Sequence, residues 1–268
     1  MSIDDFREDE LIEIYRRGHL TWKRLAAEQE KQEYIDKFKQ RTNDNHFQRI
    51  VEVIFFQHTK AKNVEERLPT IIKYLGDYRK LLKKEEAGEL KEYIEQMLND
   101  KEMFRSDTKI RASIDNAKVF SDLVNGYGGS FNNYILHFDP WDKKDDYAGV
   151  DRLVADMQKR FHRFGPISPK HFLVHYGFPI IKPDSNILRT FHRIGLIDNE
   201  KDEHGAVVVA RRIAEAAGIL VFEIDNFVTL GMKKGNEVCG NKPECNREKN
   251  PCEIREFCKY WRDEQSLQ

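Results

Sequence analysis

Apolar residues recur at three- and four-residue spacing along most of this chain, and that spacing constrains the fold more than any other feature. Residues 9–40 and 110–124 carry the pattern, and Gly/Pro pairs such as Gly165-Pro166 interrupt it. The spacing predicts amphipathic α-helices. Two β-prone stretches, 207–209 and 219–222, are too short and isolated to predict a sheet. The expected fold class is therefore all-α.

The composition is that of an ordinary soluble protein. Charged residues make up 34% of the 268 residues, and no stretch approaches the ~20 apolar residues of a membrane-spanning helix. The acidic, polar start differs from a signal peptide, so we expect a cytoplasmic location. The formal net charge is −1, which counts against a nucleic-acid-binding surface over the whole protein. A DNA-binding face would have to be a local basic patch.

All four cysteines lie close together near the C-terminus. They are Cys239, Cys245, Cys252 and Cys258, in the spacing C-x5-C-x6-C-x5-C. In a reducing compartment, clustered thiols are more typical of metal ligands than of disulfides. Four thiolates hold either a [4Fe-4S] cluster or a tetrahedral zinc ion. The C-x2-C pairs typical of zinc sites are missing, which favours the cluster and leaves zinc as the alternative.

The segment 164–186 predicts two short helices that flank a tight turn at Gly165. A turn followed by a helix start exposes several backbone N–H groups, which hold a phosphate whatever the base sequence. Lys170 and Lys182 lie nearby and add positive charge. Asp184 follows a proline at the start of the next helix, where aspartate is favoured simply as an N-cap. A capping role and a catalytic role for this carboxylate are compatible.

This segment resembles the helix-hairpin-helix (HhH-GPD) DNA glycosylase superfamily, whose hairpin is followed by Gly-aromatic-Pro and then by an aspartate that opens a helix. Gly177-Phe178-Pro179, Asp184, Ile187 and Arg189 match that pattern, and Gly165-Pro166 resembles the hairpin of 3-methyladenine glycosylase I. The resemblance implies that Asp184 is the catalytic aspartate. Such a carboxylate stabilises the positive charge that builds on the sugar when the N-glycosidic bond breaks, and it orients the attacking water.

The resemblance also implies which residues contact DNA. The hairpin and the helix after it would supply Gly165, Ile167, Lys170, Lys182 and Arg189. Bifunctional members of the superfamily carry a nucleophilic lysine just after the hairpin glycines, where this chain has Ile167 and Ser168. We therefore expect a monofunctional glycosylase, with a glycosylase/AP lyase of the endonuclease III type as the alternative.

An apolar helix upstream carries a second acid, Glu52, five residues before Gln57. A lone glutamate in such a helix can simply face solvent. The segment nevertheless resembles the corresponding helix of the adenine mismatch glycosylases and of endonuclease III. That resemblance implies that Gln57 enters the gap left by the flipped base and that Glu52 protonates a purine nitrogen. A protonated acid and an ionised carboxylate together suit this chemistry, and an apolar pocket would keep the proton on Glu52.

Four further side chains are candidates for the base pocket, because flipped bases stack on aromatic rings. They are Phe56, His58, Tyr127 and Trp141. Aromatic residues more often form plain core, so both interpretations stay open here. The position of the cysteines resembles that of the C-terminal [4Fe-4S] loop of endonuclease III, which has the spacing C-x6-C-x2-C-x5-C.

The resemblance implies a six-helix domain over residues 46–178 and a cluster domain built from 1–45 and 179–268. The expected function is excision of a damaged or mispaired base, a purine, in base-excision repair. The partner would be double-stranded DNA with a flipped base, bound by a nucleoid-associated monomer. A non-catalytic DNA-binding module that kept this fold is the alternative from a different class.

Overall fold

The computed structural model describes residues 7–23, 37–141, 147–230, 239, 243, 252 and 254–266. These residues are mostly helical, and they include no β-strand. The expectation of an all-α chain is thus confirmed for the described part, where the β-prone residues 207–209 lie inside a helix.

The helices are labelled in chain order. They are α1 (Glu8–Lys23), α2 (Asn43–Phe56), α3 (Ala61–Glu65), α4 (Leu68–Leu75), α5 (Tyr78–Glu86), α6 (Leu90–Asn99), α7 (Asp107–Gly126), α8 (Phe131–Leu136), α9 (Ala148–Arg160), α10 (Ser168–Val174), α11 (Ser185–Ile194), α12 (Glu203–Ala217), α13 (Val221–Leu230) and α14 (Lys259–Ser266), with a 3-10 turn at Arg255–Phe257.

The chain divides into two compact units. One comprises residues 35–172, and the other combines residues 1–34 with 173–268. The sequence had suggested 46–178 for the first. The observed unit begins earlier because Phe38, which is fully buried, belongs to its core.

The unit of residues 35–172 is organised around α2 and α7, which pack against each other. Helix α2 begins at a capping box, in which Thr42 accepts the backbone N–H of Asn45 and Asn45 accepts the N–H of Thr42. Reciprocal caps of this kind fix a helix start. The buried face of α2 carries Phe47, whose ring lies 5.3 Å from that of Phe120 on α7. This core holds the end of α2 in a defined position.

The unit of residues 1–34 and 173–268 contains α1 and α11 to α14. Helix α12 packs against α1, α11 and α13, and α14 packs against α11. Asp184 and Asp202 cap the starts of α11 and α12. Gly195 and Gly218 end the same two helices in the left-handed conformation that glycine adopts at low cost. None of the helices within the described ranges is long and apolar enough to cross a membrane.

Candidate active site

Asp184 caps α11, as its sequence context predicted. Its Oδ1 accepts the backbone N–H groups of Asn186 at 2.9 Å and Ile187 at 3.3 Å. Its Oδ2 lies 3.1 Å from the ammonium Nζ of Lys182, and about a quarter of the Asp184 side chain is exposed. Two N–H donors and an ammonium group restrict the rotation of this side chain. The group is therefore fixed in orientation and partly exposed to solvent.

A short turn leads into this cap. The backbone N–H of Asp184 donates to the carbonyl of Lys182 at 2.7 Å, which closes a three-residue turn centred on Pro183. On the other side of the same residue, the backbone N–H of Lys182 donates to Oδ1 of Asp225 on α13 at 2.6 Å. Both backbone polar groups of Lys182 are thus engaged, and the turn has one defined geometry.

Asp225 was not singled out from the sequence. Its residue is only 6% exposed. Burial raises the pKa of Asp225 to about 7, and the charge of Asp184 adds to the rise, whereas the N–H and ammonium groups of Lys182 oppose it. The available signal was its register, because Asp225 lies three residues after the buried Phe222 and so falls on the same side of α13.

The predicted hairpin turn lies between α9 and α10. Ser168 N–H donates to the carbonyl of Gly165 at 3.2 Å, and His171 N–H donates to that of Ile167 at 2.8 Å. The strained residue is Arg163, which has φ of 60°. A non-glycine residue seldom adopts this left-handed conformation. Gly165 does not have a left-handed φ, and a Cβ atom there would meet nothing within 4 Å. Space is therefore open in front of the exposed hairpin backbone.

Gln57 joins the end of α2 to this hairpin. Its side-chain Nε2 donates to the carbonyl of Arg163 at 2.5 Å and to Oγ of Ser168 at 2.9 Å. The sequence had placed Gln57 in the gap left by a flipped base. In the structure its amide fixes the hairpin, so entry into DNA would require both hydrogen bonds to be exchanged.

Lys109 on α7 contacts the C-terminal end of α2, next to Gln57. The sequence did not identify it as a site residue. Its Nζ donates to the carbonyls of Phe55 and Gln57, each at 2.7 Å, and to Oγ1 of Thr59 at 2.8 Å. Burial and the charge of Arg163 lower the pKa of Lys109 to about 8. A buried ammonium group thus satisfies the last carbonyls of α2, which no helical N–H reaches.

Asn116, two turns after Lys109 on the same face of α7, fixes the start of the hairpin. Its side chain accepts the N–H of His162 at 2.7 Å and donates to the carbonyl of His162 at 3.0 Å. Lys109, Ser113 and Asn116 are all buried on α7. Their spacing follows the buried stripe of that helix, so polar residues in core register were the sequence signal for both anchors.

Glu52 lies on α2 in an ion pair with Arg49. Arg49 Nη1 is 2.8 Å from Oε2 of Glu52, with 13% and 24% of the two side chains exposed. Arg49 also donates to the carbonyl of His171 at 3.3 Å. The expected role of Glu52 as a protonated acid stays a prediction, and it would require Arg49 to move.

The four pocket candidates are spread over different surroundings in the unit of residues 35–172. Phe56 is half-buried with its ring edge-on to His171, while His58 is exposed and has φ of 52°. Tyr127 packs against Tyr134 and His137, and Trp141 packs edge-on against Phe38. Tyr127 and Trp141 each contribute to aromatic packing, the plainer of the two interpretations offered by the sequence.

The remaining DNA-contact candidates are half-buried. Ile167 and Lys170 belong to the hairpin and α10. Arg189 on α11 donates to Oδ1 of Asn186 at 2.7 Å and to the backbone carbonyl of Cys239 at 3.4 Å. The guanidinium of Arg189 therefore contacts the cysteine-containing tail, a contact that its assignment to DNA binding did not anticipate.

Three of the four cysteines fall within the described residues, and Cys245 lies outside them. Arg193 Nη1 lies 3.2 Å from the carbonyl of Cys239 and 3.5 Å from its Sγ. The thiol of Cys258 donates to the carbonyl of Arg193 at 3.2 Å. Among the described residues, no group of three or more His, Cys, Asp or Glu side chains is arranged to hold a metal ion. Because Cys245 lies outside the described residues, the expected four-cysteine site stays a prediction.

Fold and site together define a helical protein with an anchored hairpin and, in the other compact unit, an aspartate that caps a helix and pairs with a lysine. A family model described as methyladenine glycosylase matches residues 27–165, more than half of the chain, and the chain belongs to this family. The family supports DNA N-glycosylase activity in base-excision repair, with DNA as the substrate. No curated protein sequence and no solved structure gives a significant match. The matched segment ends at Gly165, before Asp184 and the cysteines, so the narrower resemblance to the endonuclease III group stays a prediction.

Proposed function

We propose that the protein is a monofunctional DNA glycosylase that hydrolyses the N-glycosidic bond of a damaged or mispaired purine, with Asp184 as the catalytic carboxylate. The observation that carries this is the fixed, partly exposed carboxylate of Asp184, oriented by two backbone N–H groups and paired with Lys182. A carboxylate that cannot reorient stabilises a developing sugar cation without reorganisation cost. It also accepts a proton from the attacking water.

A water-only mechanism is favoured over the lyase alternative by the residues of the hairpin. The positions just after Gly165 and Pro166 are Ile167 and Ser168, and neither side chain is an amine nucleophile. Nζ of Lys182 lies 3.1 Å from Oδ2 of Asp184 and is engaged there in an ion pair. Lys170 lies in α10 beyond the hairpin position at which bifunctional enzymes carry their lysine. Borohydride trapping tests this directly, because a covalent protein–DNA adduct would establish lyase chemistry.

The hairpin is proposed as the DNA-backbone contact. Its exposed backbone at Gly165 and the adjacent cations of Arg163 and Lys170 suit a phosphate group. Three anchors hold it, one each from Gln57, Lys109 and Asn116, although Lys109 acts through the end of α2. Glu52 is proposed as the acid that protonates the departing purine once Arg49 has moved from it.

The four cysteines are proposed to hold a [4Fe-4S] cluster, with zinc as the alternative. The support is their number and their spacing. Such a cluster would serve to stiffen the C-terminal segment. Absorbance near ~400 nm with about four iron atoms per chain would support it, whereas about one zinc atom per chain and no colour would support zinc.

The test of the catalytic assignment is Asp184→Asn, with Asp202→Asn as a matched control. Asp202 caps α12 by accepting the N–H of Gly205 at 2.8 Å. Asparagine caps helices about as well as aspartate, so neither variant should lose the fold. We expect base release from a panel of duplexes, each with one modified purine, to fall at least ~10²-fold in Asp184→Asn only. Duplex binding should stay within about twofold of the wild type.

Two results would contradict the proposal. Equal base release by Asp184→Asn and wild type would remove Asp184 from the chemistry. A wild type that binds duplexes but releases no base from any of them would favour the non-catalytic DNA-binding module.

A further inference from the structure

The segment that delivers Asp184 is buried but irregular, so its backbone donors have no helix or sheet to satisfy them. Phe178, Ile180 and Ile181 are fully buried there. Pro179 and Pro183 have no N–H to place. A buried backbone N–H without a partner costs about as much free energy as a lost hydrogen bond. The N–H of Lys182 finds its partner in another element altogether.

That partner is the carboxyl group of Asp225. Its Oδ1 accepts the Lys182 N–H at 2.6 Å, across 43 residues of sequence. The carbonyl of the same Lys182 accepts the N–H of Asp184 at 2.7 Å. The side-chain ammonium group of Lys182 pairs with the Asp184 carboxylate. Lys182 thus fixes the position of Asp184, and Asp225 on α13 fixes the position of Lys182.

We propose that Asp225 is a positioning residue for Asp184. Its buried carboxyl group accepts a hydrogen bond from the backbone N–H of Lys182. This bond fixes the turn from which the Asp184 carboxylate projects. The inference rests on the proposed catalytic role of Asp184. Asp225 itself touches neither the sugar nor the base in this assignment. Its contribution is the orientation of another group.

The choice of residue at this position supports a specific task. Acidic side chains are rarely buried in helices without one, because removing their charge from water is costly. An aliphatic residue at 225 would suit the surrounding core, where Val221 and Ile224 are fully buried. It would leave the Lys182 N–H without an acceptor. Within the part of the chain that the structure describes, Lys182 and Asp184 are charged groups that act on Asp225, and both lie on the turn that leads into α11.

The test compares Asp225→Ala with Asp225→Asn, and uses Ile224→Val as a control that removes a buried methyl group from the same helix. Asparagine keeps an oxygen acceptor for the Lys182 N–H, whereas alanine removes it. Two readouts are needed. The first is the single-turnover rate of base release at saturating enzyme, beside the duplex dissociation constant. The second is amide hydrogen exchange of peptides covering residues 180–186, which does not depend on activity.

We expect Asp225→Ala to release base at least ~10-fold more slowly with duplex binding within about twofold, and to exchange faster at residues 182–184. Asp225→Asn should stay within ~3-fold of the wild-type rate, and Ile224→Val should match the wild type in both readouts. If Asp225→Ala does not fold, Asp225→Asn alone decides, since a loss above ~10-fold in this variant contradicts an acceptor role. Wild-type rate and exchange in Asp225→Ala would overturn the inference, as would equal losses in Ile224→Val. If amide exchange is faster in Asp225→Ala but the wild type releases no base, the proposed function is refuted. The hydrogen bond from Lys182 to Asp225 would still be shown to stabilise the turn.

Discussion

Replacing Lys109 with methionine tests the anchoring of the hairpin region most directly. Methionine keeps an unbranched apolar chain of similar length, so the packing of α7 is largely preserved. The substitution removes three hydrogen bonds, to the carbonyls of Phe55 and Gln57 and to the hydroxyl of Thr59. The two carbonyls are left at the end of α2 with no donor from Lys109.

The expected loss follows from these contacts. A hydrogen bond to a charged group contributes about 1.5–3 kcal/mol, so three would sum to well above 4 kcal/mol if they were independent. They are not independent, because one ammonium group makes all three. Its burial also has a cost, visible in the lowered pKa of Lys109, about 8. We therefore expect Lys109→Met to lower the free energy of unfolding by about 2–4 kcal/mol.

Urea denaturation at pH 7 measures this loss, with Lys118→Met as the matched control. Lys118 lies on the same helix and is exposed, so its replacement should change the free energy of unfolding by no more than about 0.5 kcal/mol. Amide exchange at residues 163–168 should also accelerate in Lys109→Met, since Gln57 reaches the hairpin from the segment that Lys109 holds. A Lys109→Met protein as stable as Lys118→Met would show that water replaces the ammonium group and would refute the anchoring argument.

Three smaller predictions concern the same compact unit. Gln57→Ala should speed exchange at the hairpin and weaken duplex binding about three- to tenfold in titrations, because two side-chain bonds worth about 1 kcal/mol each are lost; unchanged binding would argue against the hairpin as the DNA contact. Asn116→Ala should lower the free energy of unfolding by about 1–3 kcal/mol in urea, since the N–H and carbonyl of His162 both lose their partner. Burial lowers the pKa of His46 to about 4. The unfolded chain therefore binds a proton more readily between pH 6.5 and 4, and the wild type should lose up to about 3 kcal/mol relative to His46→Gln across that window; parallel stability curves would contradict this.

The fold class and the Asp184 cap were within reach of the sequence because both are local properties. Helical spacing is written into neighbouring residues, and an aspartate after a proline and before an apolar helix specifies its own capping geometry. The hairpin turn was likewise predictable from Gly165-Pro166. The strain at Arg163 was not, because its left-handed backbone is imposed by anchors from two other helices.

The anchors themselves illustrate what the sequence could not supply. Lys109 and Asn116 each make hydrogen bonds to residues about fifty positions away in the sequence. Asp225 on α13 accepts a hydrogen bond from the backbone N–H of Lys182. Each is a polar residue at a position that the helical spacing predicts to be buried. Such a position indicates that the side chain has a hydrogen-bond partner, but the sequence does not show which group that partner is. Only the tertiary structure identifies which backbone group is satisfied.

The roles expected of the two predicted acids stay predictions, and the structure gives the contacts of each carboxylate. The expected division of labour placed the proton on Glu52 and the negative charge on Asp184. In the structure each of these carboxylates has a cation at close range, Arg49 at 2.8 Å and Lys182 at 3.1 Å. Burial raises the pKa of a third acid, Asp225, to about 7. Under the proposed function, Glu52 can act as an acid only after its cation has moved away. Arg49 is the better candidate for displacement, because Lys182 is held through its backbone on both sides whereas Arg49 contacts the hairpin helix through a single long bond to His171.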